Sequence, residues 1–147
     1  MKVKNFFSEA QQKLIVDSIS AAELNTSGEI RLHLIDICKN DPTQEAIIVF
    51  EKLKMHQTEQ RNGVLIFMAV SDKKFAIIGD KGINELVPEN FWDSIRDEMI
   101  SHFKNNDFVL GLTKGIEQVG EKLKKFFPIK NNDINELSND ISFEEHV

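Results

Sequence analysis

Thr58-Glu59-Gln60-Arg61-Asn62-Gly63-Val64-Leu65-Ile66-Phe67-Met68-Ala69-Val70-Ser71-Asp72-Lys73-Lys74-Phe75-Ala76-Ile77-Ile78-Gly79-Asp80-Lys81-Gly82 is the stretch from which the fold follows. Val64 to Val70 is uninterrupted apolar sequence, as expected of a strand covered on both faces in the middle of a sheet. Ser71-Asp72-Lys73-Lys74 is short and polar enough for a hairpin turn, and Phe75 to Gly79 then returns antiparallel. The polar residues flanking the apolar run, Arg61 and Asn62 before it and Ser71 and Asp72 after it, are forced to the rims of the sheet. In such folds the rims carry function.

Working outward, Glu29 to Cys38 reads as a strand in which Ile30, Leu32 and Leu34 face one side and Arg31 and His33 a less covered one. Between the two strands, Asp41-Pro42-Thr43-Gln44 opens a helix to about Met55, with Asp as N-cap and Pro at the first helical position. Its expected buried face is Ala46, Ile47, Phe50 and Leu53. Strand, helix and strand then form a crossover between parallel neighbours. Ser8-Glu9-Ala10-Gln11 is a capping box for a first helix to about Leu24. A short helix is expected near Ile83–Leu86. Another follows Pro88, with Phe91, Trp92, Ile95, Met99 and Phe103 on one stripe. The last carries Leu112, Ile116, Val119, Leu123 and Phe127 and ends at Pro128.

Residues 1–127 thus read as one α/β domain with two parallel strands, an antiparallel hairpin strand and helices covering the sheet. Residues 128–147 hold five acidic residues against Lys130, and so carry −4 of the chain's net charge of −6. Polar and nearly without periodicity, they are expected to be a flexible tail. Leu137, Ile141 and Phe143 are its apolar candidates for docking in a groove or meeting a protein partner.

Composition excludes several classes. No basic stripe interleaved with aromatics points to nucleic acid. Cys38 is the single cysteine, so there is no disulfide framework. No apolar run approaches the roughly 20 residues of a membrane helix, and the N-terminus lacks a signal-peptide run. The expectation is a soluble, cytoplasmic protein.

Four pieces of the chain resemble the TPM domain family, named for a thylakoid lumen protein, a photosystem II repair protein and an acetylcholine-receptor modulator. They are Thr26-Ser27-Gly28-Glu29-Ile30, Thr58 with Arg61-Asn62-Gly63-Val64, Gly79-Asp80-Lys81-Gly82-Ile83, and Phe91-Trp92 followed by Gly111-Leu112. Asn135-Glu136-Leu137 with Asp140-Ile141-Ser142-Phe143 is similar to the tail of short, unanchored bacterial members. The resemblance implies a Rossmann-like three-layer α/β/α sandwich with helices on both faces of a small mixed sheet and, for some members, divalent-cation binding (chiefly calcium) and acid phosphatase activity. Others are accessory or interaction domains.

Two rims compete for a site. One gathers Glu29 and Asp80, with Asn62, Thr58 and Thr26 helping, a set of oxygen donors that suits calcium better than magnesium. The plainer reading of the same residues is an ion pair of Glu29 or Asp80 with Arg61, plus a helix cap. The opposite rim, at the carboxyl ends of the parallel strands, holds Asp36, Asp41, Ser71 and Asp72. There two carboxylates would hold Mg²⁺ for phosphoryl transfer, or Asp41 and Asp72 would simply serve as cap and turn. The Walker pattern is absent, and no nucleophile sits beside a base. The function expected is a cation-binding accessory or interaction module; the alternatives are a metal-assisted acid phosphatase and a metal-free interaction domain.

Overall fold

A computed structural model of the chain describes residues 3–129 and 135–144. The mixed sheet has four strands in the order β3-β2-β1-β4, with β1 Glu29–Ile35, β2 Gly63–Ala69, β3 Lys74–Gly79 and β4 Ser142–Glu144. β2 is buried at every position and runs parallel to β1, Glu29 opposite Gly63 and Ile35 opposite Ala69. β3 returns antiparallel through the hairpin, Val64 opposite Gly79 and Ala69 opposite Lys74. The apolar run thus becomes the central strand with a hairpin neighbour, as its composition requires.

The helices are α1 Glu9–Glu23, α2 Pro42–Lys52, α3 Lys81–Asn84, α4 Asp93–Lys104 and α5 Phe108–Phe126. Ile30, Leu32, Leu34, Val64, Ile66, Met68 and Ile77 line one sheet face. They pack with Ile15 and Ile19 of α1, Ile95, Met99 and Phe103 of α4, and Leu112, Ile116, Val119 and Leu123 of α5. The other face, Leu65, Phe67, Ala69 and Ala76, packs with Ala46, Val49 and Phe50 of α2. Each of these side chains gains about 1.5–3 kcal/mol by leaving water when large and fully buried, so the two clusters hold the sandwich together. The caps form as their sequences require. Ser8 and Gln11 exchange bonds of 3.1 and 2.9 Å, and Asp41 Oδ2 accepts the Gln44 N–H at 3.1 Å.

Several boundaries shift. β1 stops at Ile35 rather than Cys38, because the Asp72 carboxylate takes the Cys38 N–H at 2.7 Å and turns the chain. In α2 Val49 is buried, whereas Ile47 is 47% exposed toward the open side of β3. The stretch after Pro88 makes turns, and α4 begins only at Asp93.

The largest departure lies in the tail. Residues 135–144 do not hang free but form a strap along β1. Leu137 and Ile141 are buried, and β4 pairs parallel with β1, His33 opposite Ser142 and Ile35 opposite Glu144. Burial of the two apolar side chains and closure of an otherwise open sheet edge outweigh the strap's polar composition. The strap also explains why His33 is buried on the face expected to be less covered. Residues 130–134 and 145–147, which the tail expectation also includes, lie outside the described residues.

Candidate functional site

Among the described residues six polar side chains are buried: Thr26, Glu29, His33, Thr58, Asn62 and Asp80. Five of them are the residues proposed from sequence for the first rim. The structure gathers them at the entry of the strands and engages each with a neighbour. Asp80 ends β3 and caps α3, its Oδ1 accepting the Lys81 N–H at 2.7 Å. Arg61 reaches it with both arms, Nε to Oδ2 at 2.8 Å and Nη2 to Oδ1 at 2.9 Å. Asn62 donates through Nδ2 to the Ser27 carbonyl at 3.1 Å, and its own N–H bonds Thr58 Oγ1 at 3.3 Å. Thr26 donates to the Phe127 carbonyl and accepts the Gly28 N–H at 3.0 Å, tying the first rim to the end of α5.

Glu29 is held differently. Its Oε1 accepts the Leu137 N–H of the strap at 2.7 Å, while Oε2 is buried without a hydrogen-bond partner among the described residues. Burial pushes this carboxyl up to about 7, partly offset by the strap's N–H groups, with the Glu136 charge adding to the rise. Glu23, at the end of α1, is likewise pushed up to about 7, chiefly by burial, although its Oε2 accepts the Ile30 N–H at 2.9 Å.

These facts show how the oxygens of the first rim are already used. Calcium needs six to eight oxygens around an ionised core. Here both Asp80 oxygens are engaged by a guanidinium, and Glu29, on the far side of β2, resists ionisation. The ion pair and helix cap account for Arg61 and Asp80, the plainer of the two sequence readings. Among the described residues no three His, Cys, Asp or Glu side chains gather in a metal cluster.

The opposite rim is arranged otherwise. The Ser71 hydroxyl, at the end of β2, donates to Asp36 Oδ1 at the end of β1, and the Ser71 N–H bonds the Asp36 carbonyl at 3.0 Å. Next to them Asp72 Oδ2 holds the Cys38 N–H at 2.7 Å. Asp36 and Asp72 are thereby each anchored at the carboxyl ends of the parallel strands, with one oxygen committed. Asp41 is accounted for as the α2 cap. Lys74 Nζ donates to the Cys38 carbonyl at 3.0 Å and Lys73 Nζ to Asn106 Oδ1 at 3.2 Å. A cleft of about 250 Å³ beside Asp36 is lined by Cys38, Lys39, Asn40, Glu45 and Glu144. Sequence reading missed the Cys38 amide as the anchor of Asp72, because a backbone donor leaves no residue-type signal.

A larger groove, about 730 Å³, follows the open side of β3 between Ile47 and Phe50 of α2 and Trp92, ending at Arg61 and Asp80. Among the described residues no helix is long and apolar enough to cross a membrane.

Comparison with known proteins agrees with this architecture. The sequence model of the TPM domain matches residues 2–122. The structure is similar to the BA42 protein of the psychrophilic bacterium Bizionia argentinensis, at 49% identity over 95% of this chain and 96% of that one, with a TM-score of 0.90. It is also similar to the N-terminal domain of a P. gingivalis protein (19% identity, 82% and 78% covered, TM-score 0.67). A third likeness is the N-terminal domain of the cg2496 protein of Corynebacterium glutamicum (12% identity, 97% and 82% covered, TM-score 0.64). The last two bear on the fold alone. A search of curated proteins finds no match.

Proposed function

The chain belongs to the TPM domain family, and from that premise we propose that it is a binding module whose divalent cation, calcium, is held by Asp36 and Asp72 rather than by Glu29 and Asp80. The observation that carries this reading is the separate anchoring of two carboxylates, Asp36 by Ser71 and Asp72 by the Cys38 amide, on the rim where open α/β sheets take their ligands. Among the described residues Asp36 Oδ2 and Asp72 Oδ1 make no hydrogen bond or ion pair and remain for a hard cation. Calcium accepts such a mixed shell, in which carboxylates supply the charge and water the remaining oxygens.

Two carboxylates make a weak site, on the order of 10⁻⁴–10⁻³ M. The acid-phosphatase alternative draws less support at this rim, since Lys73 and Lys74 are held by Asn106 and the Cys38 carbonyl, which leaves Lys39 of the cleft as the cation for a phosphate.

Thermal unfolding of the full chain with calcium at ten times its dissociation constant is the test. Saturation to that degree adds about 1.4 kcal/mol, which raises the midpoint by about 3–5 °C for a chain of this size. The rise is expected to persist in Asp80→Asn and to vanish in Asp36→Asn and Asp72→Asn. A rise that instead disappears in Asp80→Asn, or none at 10 mM calcium, overturns the assignment.

A further inference from the structure

The strap raises the question of what the β1 edge is built to hold. Among the described residues four buried side-chain nitrogen or oxygen atoms have no hydrogen-bond partner, and three of them are Glu29 Oε2, Arg31 Nε and His33 Nε2. These residues occupy alternate positions of β1 and therefore share one face. All three meet the strap. Glu29 accepts the Leu137 N–H, Arg31 feels the charge of Asp140, and His33 Nδ1 lies 2.7 Å from Ser142 Oγ.

The state of His33 follows from the bonds around it. Ser142 Oγ lies 3.2 Å from the Leu32 carbonyl and 2.7 Å from His33 Nδ1. Both contacts are hydrogen bonds only when the hydroxyl donates to Leu32 and Nδ1–H donates to Ser142, and in that tautomer Nε2 is an acceptor. The floor of the edge thus offers two acceptors, Glu29 Oε2 and His33 Nε2, and one donor, Arg31 Nε, that the strap leaves unmatched. Buried polar groups are ordinarily satisfied, so the strap fits this edge in its apolar anchors and incompletely in its polar ones.

Two acidic positions of the strap meet cations of this edge, Asp140 near Arg31 and Glu144 paired with Lys52 Nζ at 3.3 Å, whereas Glu136 stands against Glu29. We propose that the β1 edge is a strand-acceptor site for an extended acidic segment of another protein, and that residues 135–144 occupy it in cis until such a segment replaces them. The partner segment runs parallel to β1 and places apolar side chains where Leu137 and Ile141 now sit. It adds a strand by backbone pairing, as in other β-augmentation complexes. It outcompetes the tethered strap by supplying donors to Glu29 and His33 and an acceptor to Arg31. This inference does not depend on the cation reading.

The test uses the full chain carrying Ile141→Asp, which loosens the strap, and a synthetic peptide of residues 135–144. Backbone amide shifts of His33, Leu34 and Ile35 report occupation of the edge. Saturable binding is expected, weakened at least about tenfold (about 1.4 kcal/mol) by Leu137→Ser in the peptide. The unaltered chain should bind the peptide at least about tenfold more weakly, because its tethered strap competes at a millimolar effective concentration. Should Ile141→Asp fail to fold, Ser142→Pro loosens β4 and keeps both apolar anchors. Absence of saturable shifts at millimolar peptide, or binding indifferent to Leu137→Ser, overturns the proposal.

Discussion

Arg61 and Asp80 face each other as a two-pronged ion pair, at 2.8 and 2.9 Å, across the entry to α3. The Asp80 side chain is 5% exposed and that of Arg61 44%, so the pair is anchored on one side and wet on the other. Asp80 also caps α3 through the Lys81 N–H. Asp80→Ala loses the cap, worth about 1 kcal/mol, and lowers the unfolding midpoint by at least about 2–4 °C. Its calcium response should be unchanged. Scanning calorimetry with and without calcium checks both halves of this expectation.

Gly82 makes the second half of the same loop possible. A Cβ placed there would stand 2.2 Å from the Gln60 carbonyl oxygen and 2.7 Å from that of Arg61, both backbone atoms. Arg61 itself has φ of 51°, a left-handed conformation held by the Gly82 N–H at 2.9 Å from its carbonyl. Gly82→Ala must therefore push the 60–61 backbone away. Overpacking of this kind costs about 1–3 kcal/mol, and urea denaturation reads it directly. Gly28→Ala is the control. Its Cβ meets the Leu123 Cδ1 at 2.7 Å, the tip of a side chain able to turn aside, so a smaller loss is expected.

The contrast between what was legible in the sequence and what was not follows sequence distance. Ser8 with Gln11, Asp41 with Pro42, and the apolar run from Val64 to Val70 act within a few residues, and each produced the element its composition implies. The strap joins Ser142 to His33 across 109 positions, and only Leu137, Ile141 and Phe143 mark it, too few for a periodic signal. The first rim divides the same way. Thr26, Glu29, Thr58, Asn62 and Asp80 stood out as a polar set and are indeed buried. What each one binds depends on Phe127 and Leu137, whose approach no local pattern announces.

Acidity beneath the strap makes stability depend on pH. Glu23 and Glu29 are both pushed from 4.5 to about 7, chiefly by burial. A carboxyl with a raised folded pKa prefers its proton in the native state. The stability it contributes is therefore complete below 4.5 and is lost as pH rises through about 7. His33 contributes the opposite slope. Burial lowers it from 6.5 to about 4, so its stabilisation is present above 6.5 and lost as pH falls toward 4. The diagnostic quantity is accordingly a difference. Glu29→Gln keeps the acceptor for Leu137 and removes the ionisation, so its unfolding midpoint relative to the unaltered chain should rise between pH 5 and pH 8. A constant offset across that range would mean that Glu29 ionises in the fold as it does in water.

The strap's own contribution can be measured at Leu137, which is buried against the cluster of Met55, Leu65 and Phe67 and lies close to Gly63. An apolar residue in a solvated tail changes stability by less than about 0.5 kcal/mol when truncated. One packed in a core, with backbone and neighbours only partly able to close the gap, costs about 2–5 kcal/mol as Leu→Ala. Partial exposure at the strap's edge places Leu137→Ala at the lower end of that range. The loss should appear first as easier opening of the strap, which takes with it the Leu137 N–H that binds Glu29 at the head of β1, since a strap that can be exchanged must open from a sandwich that stays folded. A single transition in which strap and sandwich are lost together would instead make the strap inseparable from the domain and count against its exchange. Hydrogen exchange at the Leu137 and Ile35 amides separates these outcomes, since only the cooperative case gives both the same opening free energy.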